Sequence, residues 1–424
     1  MTRAATPKLG AYAGLAALGL LAALALGRPE LVALAAPFAL VAVAGLALAR
    51  APEVDVALEL ASDRSLQGDE VATTLELYAE NGVPQLEVTM PLAAGLTVAA
   101  GELPRTLELQ GREPRVLDLS LRGDRWGAYV LGEIGLRARS RFGLFVYEQQ
   151  LDLRRPLKVY PRADALREIV RPLETQVFSG NQVSRHKGEG IEFADLRPFV
   201  PGDRVRRINW RASARRNAPW VNEYRPERNA EVIVFLDSFA ELRHAGHSTL
   251  DLSVHAAASL IGGYVGERDR VGFVSFGGIL RWLQPGMGLT QLYRVVEALL
   301  DTEILLNYAW KGIDVIPPRT LPPQALVLAV SPLLDERAVA ALLDLRGRGF
   351  DLAIVEVSPV PFVDRGEGEV EELAHRLWRL RREALRARYQ RAGVATVEWR
   401  VGEPLAAVVE EVTAYRRHAR TARV

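Results

Sequence analysis

Residues 231–237 read EVIVFLD. Val232 to Leu236 form an unbroken apolar run, rich in β-branched and aromatic side chains and too short for a helix. Such a run predicts a strand buried on both faces, the kind found in a parallel sheet. It ends at Asp237, so a carboxylate is placed at the carboxyl end of that strand. Downstream, Ser248 is a helix cap with Asp251 three residues on. Leu250, Val254, Ala257, Ala258, Ile261 and Val265 then recur at helical spacing. Val271–Phe276 and Ile279–Leu283 flank Gly277-Gly278, a two-residue hairpin signal. Leu289–Leu300 reads as a helix, Ala325–Val330 as a strand, Asp335–Arg346 as a helix and Leu352–Val357 as a strand. A long helix over Val370–Arg391, a strand over Val397–Val401 and a helix over Pro404–Tyr415 follow. Strands alternating with helices predict an α/β domain over residues 229–424, with a doubly covered, mainly parallel sheet and one antiparallel edge.

Upstream of this domain the hydrophobic period changes to two. Val54, Val56, Leu58 and Leu60 alternate with Asp55, Ala57 and Glu59. Leu75/Leu77, Leu86/Val88, the Val116–Leu121 run, Tyr129–Arg137 and Leu144–Leu153 continue the pattern. Asn81-Gly82, Gly111, Gly123 and Gly143 mark turns. Short strands at this spacing predict an antiparallel β-sandwich over residues 51–161, and nothing in it forms a catalytic constellation. Ala163–Val170 is compatible with a helix.

Residues 1–50 are different again. Leu9–Gly27 and Leu31–Ala49 are each 19 residues without a charge, separated by Arg28, Pro29 and Glu30. As helices, each is about 28 Å long, close to a bilayer core. The expectation is a transmembrane helical hairpin; Gly10 and Gly14 form a GxxxG, read either as a close-packing motif or as a chance spacing in an Ala/Gly-rich segment. Arg3, Lys8, Arg50 and Arg64 flank the runs, while the turn offers Arg28 against Glu30. The positive-inside rule then puts both ends in the cytoplasm of an inner-membrane, multi-pass protein. A cleaved signal peptide is the competing reading.

The 424 residues carry 53 Lys+Arg and 52 Asp+Glu, and no cysteine. Net charge therefore points to no polyanionic or polycationic partner. Disulfides, thiolate nucleophiles and sulfur-ligated zinc are excluded. No Walker A motif and no G-x-S-x-G elbow occur, which removes P-loop nucleotide hydrolysis and α/β-hydrolase chemistry. His247, Asp251 and His255 are four apart, but a cap at Ser248 leaves His247 outside the helix and gives Asp251 to the helix dipole.

Residues 162–228 carry the most specific pattern. From 178 they read FSGNQVSRHKGEGIEFADLRPFVPGDRVRRINWRASARRNAPWVNEYRPER. Six arginines lie between Arg204 and Arg216, with Trp210, Trp220 and Tyr224 nearby. This could be a nucleic-acid surface, but a loop whose arginines pair with Glu189, Glu192, Asp195, Asp203 and Glu223 is the preferred reading, so no nucleic-acid partner is expected. The stretch resembles the signature of the DUF58 family (domain of unknown function 58). The matching positions are Ser184, Arg185, Gly188, Gly190, Glu192, Phe193, Leu196, Arg197, Gly202, Asp203, Arg206 or Arg207, Ile208, Trp210, Ser213, Ala214 and Arg215. Phe199 and Asn209 stand where the family usually has Tyr and Asp.

The resemblance implies a von Willebrand factor A-like fold for the α/β domain. It also implies a membrane hairpin with a β-module, and partnership with MoxR-type AAA+ ATPases. Domains of that fold hold Mg²⁺ through Asp-x-Ser-x-Ser, a loop Thr and a later Asp. Here Asp237 fits the first position, Phe239 and Glu241 replace the serines, Thr290 could be the loop residue, and Ser331-Pro332 replaces Ser-Asp. The expectation is a degenerate, metal-free site with no cofactor and with Asp237 held by backbone N–H groups; a Mg²⁺-dependent adhesion site is the alternative. The functional expectation is a membrane-anchored, non-catalytic adaptor that contacts the lipid bilayer and a MoxR-type ATPase. A cryptic enzyme using Asp237, Glu189, Glu192 and Asp203 is the alternative. The signature is expected to be structural, its acids pairing with Arg204–Arg215 as a clasp. The charges of residues 369–391 read mostly as a solvated face, with a partner surface as the sharper option. The arginines at 416, 417, 420 and 423 read as lipid-contacting or as a frayed tail. Oligomeric state is not legible.

Overall fold

A computed structural model describes residues 1–172, 192–201, 203, 205–225, 231–304, 312–317, 320–322 and 325–421. The chain divides into two compact units, residues 1–160 and 161–424.

The first unit opens with a short strand, β1 (Thr2–Ala5), then helices α1 (Pro7–Leu26) and α2 (Glu30–Ala47). Both helices are long and apolar enough to cross a membrane. Leu18, Leu21, Leu24, Leu34, Leu40 and Leu46 point outward and are exposed. Each such side chain contributes about 1.5–3 kcal/mol when taken out of water, so this surface favours an apolar surrounding. The helices meet at Gly19, where an added Cβ would lie 2.6 Å from the Ala35 Cβ, whereas Gly10 and Gly14 face open space. The close approach therefore uses Gly19 and not the GxxxG pair, because helix rotation turns Gly10 and Gly14 away from α2. Tyr12 and Phe38 also meet, their ring centroids 5.8 Å apart.

Nine further strands complete this unit: β2 (Asp55–Leu60), β3 (Arg64–Leu66), β4 (Glu70–Tyr78), β5 (Val83–Thr89), β6 (Leu96–Ala100), β7 (Arg105–Leu109), β8 (Arg115–Gly123), β9 (Gly127–Arg139) and β10 (Phe145–Tyr160). They form a four-stranded sheet in the order β2-β4-β8-β6 and a six-stranded sheet in the order β1-β10-β9-β5-β7, with β3 also paired to β10. All pairings are antiparallel except β3 with β10. Leu58, Leu75, Leu77, Leu117 and Leu121 of the first sheet share one core with Leu86, Val88, Ile134, Leu136 and Leu157 of the second. The expected alternation produces this face (β4 alternates exposed and buried side chains along most of its length). Both ends of the helical hairpin are tied to this body. β1 pairs antiparallel with Phe145–Glu148 of β10, the Thr6 amide donates to the Leu144 carbonyl, and Gly45 of α2 abuts Leu144.

The second unit begins with an extended strap, not the helix expected over Ala163–Val170. Its polar groups find partners elsewhere: the Asp164 amide donates to Ser259 Oγ at 2.8 Å, the Asp164 carboxylate meets His255 Nε2 at 3.0 Å, and the Tyr264 hydroxyl donates to the Val170 carbonyl. These contacts replace the bonds a helix would have made internally.

Next come strands β11 (Glu192–Pro198) and β12 (Trp220–Arg225), antiparallel, with helix α3 (Trp210–Arg216) between them. The main sheet contains β13 (Glu231–Ser238), β16 (Arg270–Gly277), β17 (Arg281–Gly286), β18 (Leu326–Ser331), β19 (Asp351–Val357) and β20 (Ala395–Trp399); β14 (Arg243–His244) and β15 (His247–Ser248) form a small separate ribbon. Sheet order is β17-β16-β13-β18-β19-β20, parallel throughout except for β17 at one edge. Every residue of β13 is buried. The turn into β17 is longer than the Gly277-Gly278 hairpin expected, since pairing resumes only at Ser275 with Arg281.

Helices α4 (Thr249–Gly266), α5 (Gly288–Leu300), α6 (Glu336–Gly347), α7 (Glu369–Arg391) and α8 (Leu405–Thr421) accompany these strands. Ser248 caps α4 by accepting from the Asp251 amide, and Asp335 caps α6 from the Arg337 amide. Ile233 and Phe235 of β13 share a core with Ala338, Leu342 and Leu345 of α6 and Tyr389 of α7. Arg416 is not in a frayed tail: α8 runs on to Thr421, and Arg416 makes a bidentate pair with Asp351 at 2.6 and 2.7 Å.

Gly19→Val should weaken hairpin packing by about 1–3 kcal/mol through overpacking, while Gly10→Val and Gly14→Val should leave it within about 0.5 kcal/mol. Detergent-titrated unfolding of the three variants checks this; equal losses at all three sites would contradict the contact.

Candidate functional site at the carboxyl end of the main sheet

Open α/β sheets bind ligands outside the carboxyl ends of their strands. In the second unit that region starts at Asp237, the penultimate residue of β13, which is 2% exposed. One carboxylate oxygen accepts the Ser331 hydroxyl at 2.6 Å; the other accepts the Phe239 amide at 3.1 Å. Ser331 Oγ in turn accepts the Leu333 amide at 2.9 Å. The carboxylate is thus held by one hydroxyl and one backbone N–H, not by backbone groups alone. Burial pushes its pKa up to about 6, against the pull of the Ser331 and Phe239 hydrogen bonds.

The residues beside it close the position. Phe239 is buried and packs edge-on against Phe276, with centroids 5.0 Å apart. The Arg337 guanidinium lies 4.2 Å above the Phe239 ring and pairs with Asp335 at 2.8 Å. Ser238 Oγ shares a hydrogen bond with Ser275 Oγ. Gly277 lets β16 pass close to Ser238, where any Cβ would collide. Glu241 pairs with Arg243, and Thr290 sits exposed in the first turn of α5. Among the described residues no group of three or more His, Asp or Glu side chains is placed to hold a metal ion. Asp237 offers one hard carboxylate, but the expected serine positions carry an aromatic ring and an ion-paired glutamate. This donor set does not fit Mg²⁺, which requires near-octahedral oxygen ligation.

A charged network continues across the same end of the sheet. Glu356, at the end of β19, is 1% exposed and binds two arginines of α7, Arg382 and Arg386. Arg382 also donates to the Pro332 carbonyl at 2.8 Å, immediately after Ser331. Arg386 reaches Glu398 of β20 at 3.2 Å, and Glu398 accepts the Ser358 hydroxyl at 2.6 Å. Burial pulls the Arg382 pKa down, with Glu356 opposing it. For Glu398 burial works upward, yet Ser358, Arg386 and Arg400 together hold its carboxyl below the usual range. Stranding either member of a buried pair costs about 3–5 kcal/mol. Sequence reading placed Arg382 and Arg386 on a solvated face. The missed signal is their spacing from Tyr389: 382, 386 and 389 fall on one helical side.

The signature residues build a compact local unit. Arg197 grips Asp203 in a bidentate pair at 2.6 and 2.7 Å, and the Val200 amide donates to the same carboxylate at 2.9 Å. Asp203 was expected to pair within Arg204–Arg215; Arg204 and the side chain of Arg207 lie outside the described residues, and among the described residues Arg197 is one partner, brought to it by the turn at Val200. Asn209 caps α3 through the Ala212 amide and donates to Asn222 of β12. Ser213 Oγ donates to the Asn209 carbonyl and accepts the Trp220 amide. The Arg216 guanidinium covers the Trp220 ring at 3.9 Å. Trp210 and Arg215 are exposed. Arg185, Gly188, Glu189, Gly190, Gly202 and the side chains of Glu192 and Phe193 lie outside the described residues.

Residues 195–396 match the family model described as "Protein of unknown function DUF58". The match spans the local unit and most of the main sheet. No curated protein matches the chain. Among solved structures, the chain is similar to native alpha-2-macroglobulin from Escherichia coli, from domain MG7 to the C-terminus (18% identity, TM-score 0.24, covering 30% of this chain and 20% of that one). It is also similar to a FixG-related protein from Vibrio parahaemolyticus (12%, TM-score 0.18, 25% and 95%). A third likeness is to the cupredoxin domain of amoB from Nitrosocaldus yellowstonii (10%, TM-score 0.19, 25% and 86%). The chain spans about a fifth of the first of these structures.

Two outcomes follow from this geometry. The Asp237 pKa rises from 3.8 unfolded to about 6 folded, so the native state holds the extra proton between those values and its stability falls as pH rises through that window. Asp237→Asn keeps a similar shape without the charge. It should gain up to about 3 kcal/mol on the wild type between pH 4 and pH 8, measured by denaturant unfolding at both pH values; a pH-independent difference would contradict the buried titration. Asp203→Asn should lose one arm of the Arg197 pair and destabilise the local unit by about 1–2 kcal/mol, read as faster proteolysis between residues 198 and 210. Unchanged cleavage would contradict a structural role.

Proposed function

We propose that this chain is a membrane-anchored, non-catalytic adaptor. In this reading α1 and α2 span the inner membrane as a multi-pass hairpin, and the paired sheets of the first unit form a β-sandwich. A von Willebrand A-like domain in the second unit is presented to cytoplasmic partners. The partner class is a MoxR-type AAA+ ATPase system that matures or remodels other proteins.

One observation carries the reading. At the end of the sheet where a ligand would bind, both Asp237 oxygens are engaged internally and Phe239, with Arg337 over it, covers the position. A site closed by its own side chains suits recognition by the surrounding surface better than turnover within it. The anchoring part is supported by the exposed leucines of both helices. It is supported too by the shared attachment of the hairpin's two ends to one β-body, since both ends then lie on one side of a bilayer. Flanking Arg3, Lys8, Arg50 and Arg64 favour the cytoplasmic side. The chain lacks a Walker A motif, which fits a protein that relies on a separate ATPase.

The test is capture of the tagged full chain from native membranes in mild detergent, with a non-hydrolysable ATP analogue present. A MoxR-type AAA+ ATPase should be retained in near-stoichiometric amount, and Asp237→Asn should retain it as well. Absence of any such ATPase, or substrate turnover by the purified chain alone, would overturn the adaptor reading.

A further inference from the structure

Helix α7 carries two opposed faces. Arg382, Leu385 and Tyr389 turn toward the sheet and α6. Val370, Leu373, Leu377 and Leu380 fall within an arc of about 80° on the far side of the helix. They are 81%, 54%, 58% and 54% exposed. Residues spaced 3, 4 and 3 apart form a continuous apolar stripe more than two turns long. Water is a poor surrounding for it.

The fringe of the stripe identifies its occupant. Arg376, Arg381 and Arg388 are exposed and border the stripe, whereas Glu369 is the one acid on that side of the wheel. The ion pairs that engage two of these arginines are weak surface contacts. Arg376 meets Glu372 at 3.7 Å and Arg381 meets Glu336 at 3.2 Å, with all four side chains largely exposed. Such pairs contribute under about 1 kcal/mol and exchange readily for other anions. A second copy of α7 laid against the first would bring like-charged arginine borders together. An anionic lipid surface does the reverse: the leucines enter the acyl boundary and the arginine heads reach the phosphates, their stems lying along the apolar layer.

We propose that the outer face of α7 is an interfacial membrane helix that docks on an anionic bilayer. The inference rests on the membrane-anchored reading above, because the hairpin would supply the bilayer at high local concentration. Docking would draw on residues that the Asp237 and Glu356 networks leave unused. It would add a second, charge-dependent membrane contact to the permanent one.

The absence of cysteine makes the test direct. Leu377→Cys in the full chain carries one spin label, and Leu18→Cys carries a control label in α1. Each labelled chain is reconstituted in nanodiscs of phosphatidylcholine, alone or with about one third phosphatidylglycerol. The 377 label should gain oxygen accessibility and lose accessibility to a water-soluble nickel reagent only when phosphatidylglycerol is present. Adding Arg376→Gln and Arg381→Gln should lower the docked-to-free ratio roughly thirtyfold. A 377 label that stays aqueous in both discs while the Leu18 label is in lipid would overturn this inference and leave the anchor standing. A Leu18 label found in water would overturn the anchor itself. Shielding at 377 that ignores lipid charge and grows with protein concentration would identify a second copy of the chain, and would equally overturn docking on lipid.

Discussion

The Ser331 hydroxyl donates to a carboxylate that lies almost wholly out of water, and the carboxyl end of the sheet is arranged around that bond. A lone buried carboxylate is expensive unless its oxygens are bonded or it takes up a proton. Ser331 and the Phe239 amide meet that demand. Ser331 is itself held, because the chain after it is clamped through the Pro332 carbonyl by Arg382. Arg382 is buried only because Glu356 faces it, and Arg386 ties Glu356 to Glu398. The strands β13, β18, β19 and β20 are therefore joined at one end by a relay of polar contacts. In a low-dielectric setting such relays rigidify their members, and losing one leaves the others unsatisfied.

This relay also explains how α7 can carry two unlike faces. A helix of its 23 residues is about 35 Å long. Its attachment is concentrated at Arg382, Arg386 and Tyr389, in the carboxyl-terminal half. Charge and hydrogen bonding hold that half, so apolar residues are not all needed for packing. The leucines of the other half are free to face outward. The acids of the first turn, Glu369, Glu371 and Glu372, and the basic residues of the last, Arg388 and Arg391, complement the helix dipole and help the projecting half stay helical.

What was legible in the sequence follows from the range over which each signal acts. The buried runs of β13, β18 and β19, the cap at Ser248 and the helix beginning at Asp335 depend on neighbouring residues, and they fall within one or two residues of their expected limits. The alternation of residues 51–161 is likewise local and yields two sheets over one core. Strand β1 was illegible: Thr2–Ala5 is four residues long and is a strand only because β10 offers an edge. The strap over Ala163–Val170 has helical composition, but its amide, carboxylate and carbonyl partners lie about 90 residues away on α4. The same limit hid the relay. Glu356 and Arg382 look like ordinary surface charges until the fold brings β19 beneath α7. Asp237 was legible as a position, because it ends a buried strand, whereas its hydroxyl partner 94 residues on was not.

The balance of charges around Asp237 gives the closed site its final physical sense. At neutral pH a group with a pKa near 6 is mostly ionised, so the buried Asp237 carries negative charge in the folded protein. A metal ion would normally compensate such a charge through direct oxygen ligation. Here Phe239, with the Arg337 guanidinium 4.2 Å above its ring, stands where related metal sites carry a ligating serine. Arg337 is itself paired with Asp335, and its pull on the Asp237 carboxyl is opposed by the push from Asp335, so the hydrogen bonds from Ser331 and the Phe239 amide are what favour the ionised form against burial.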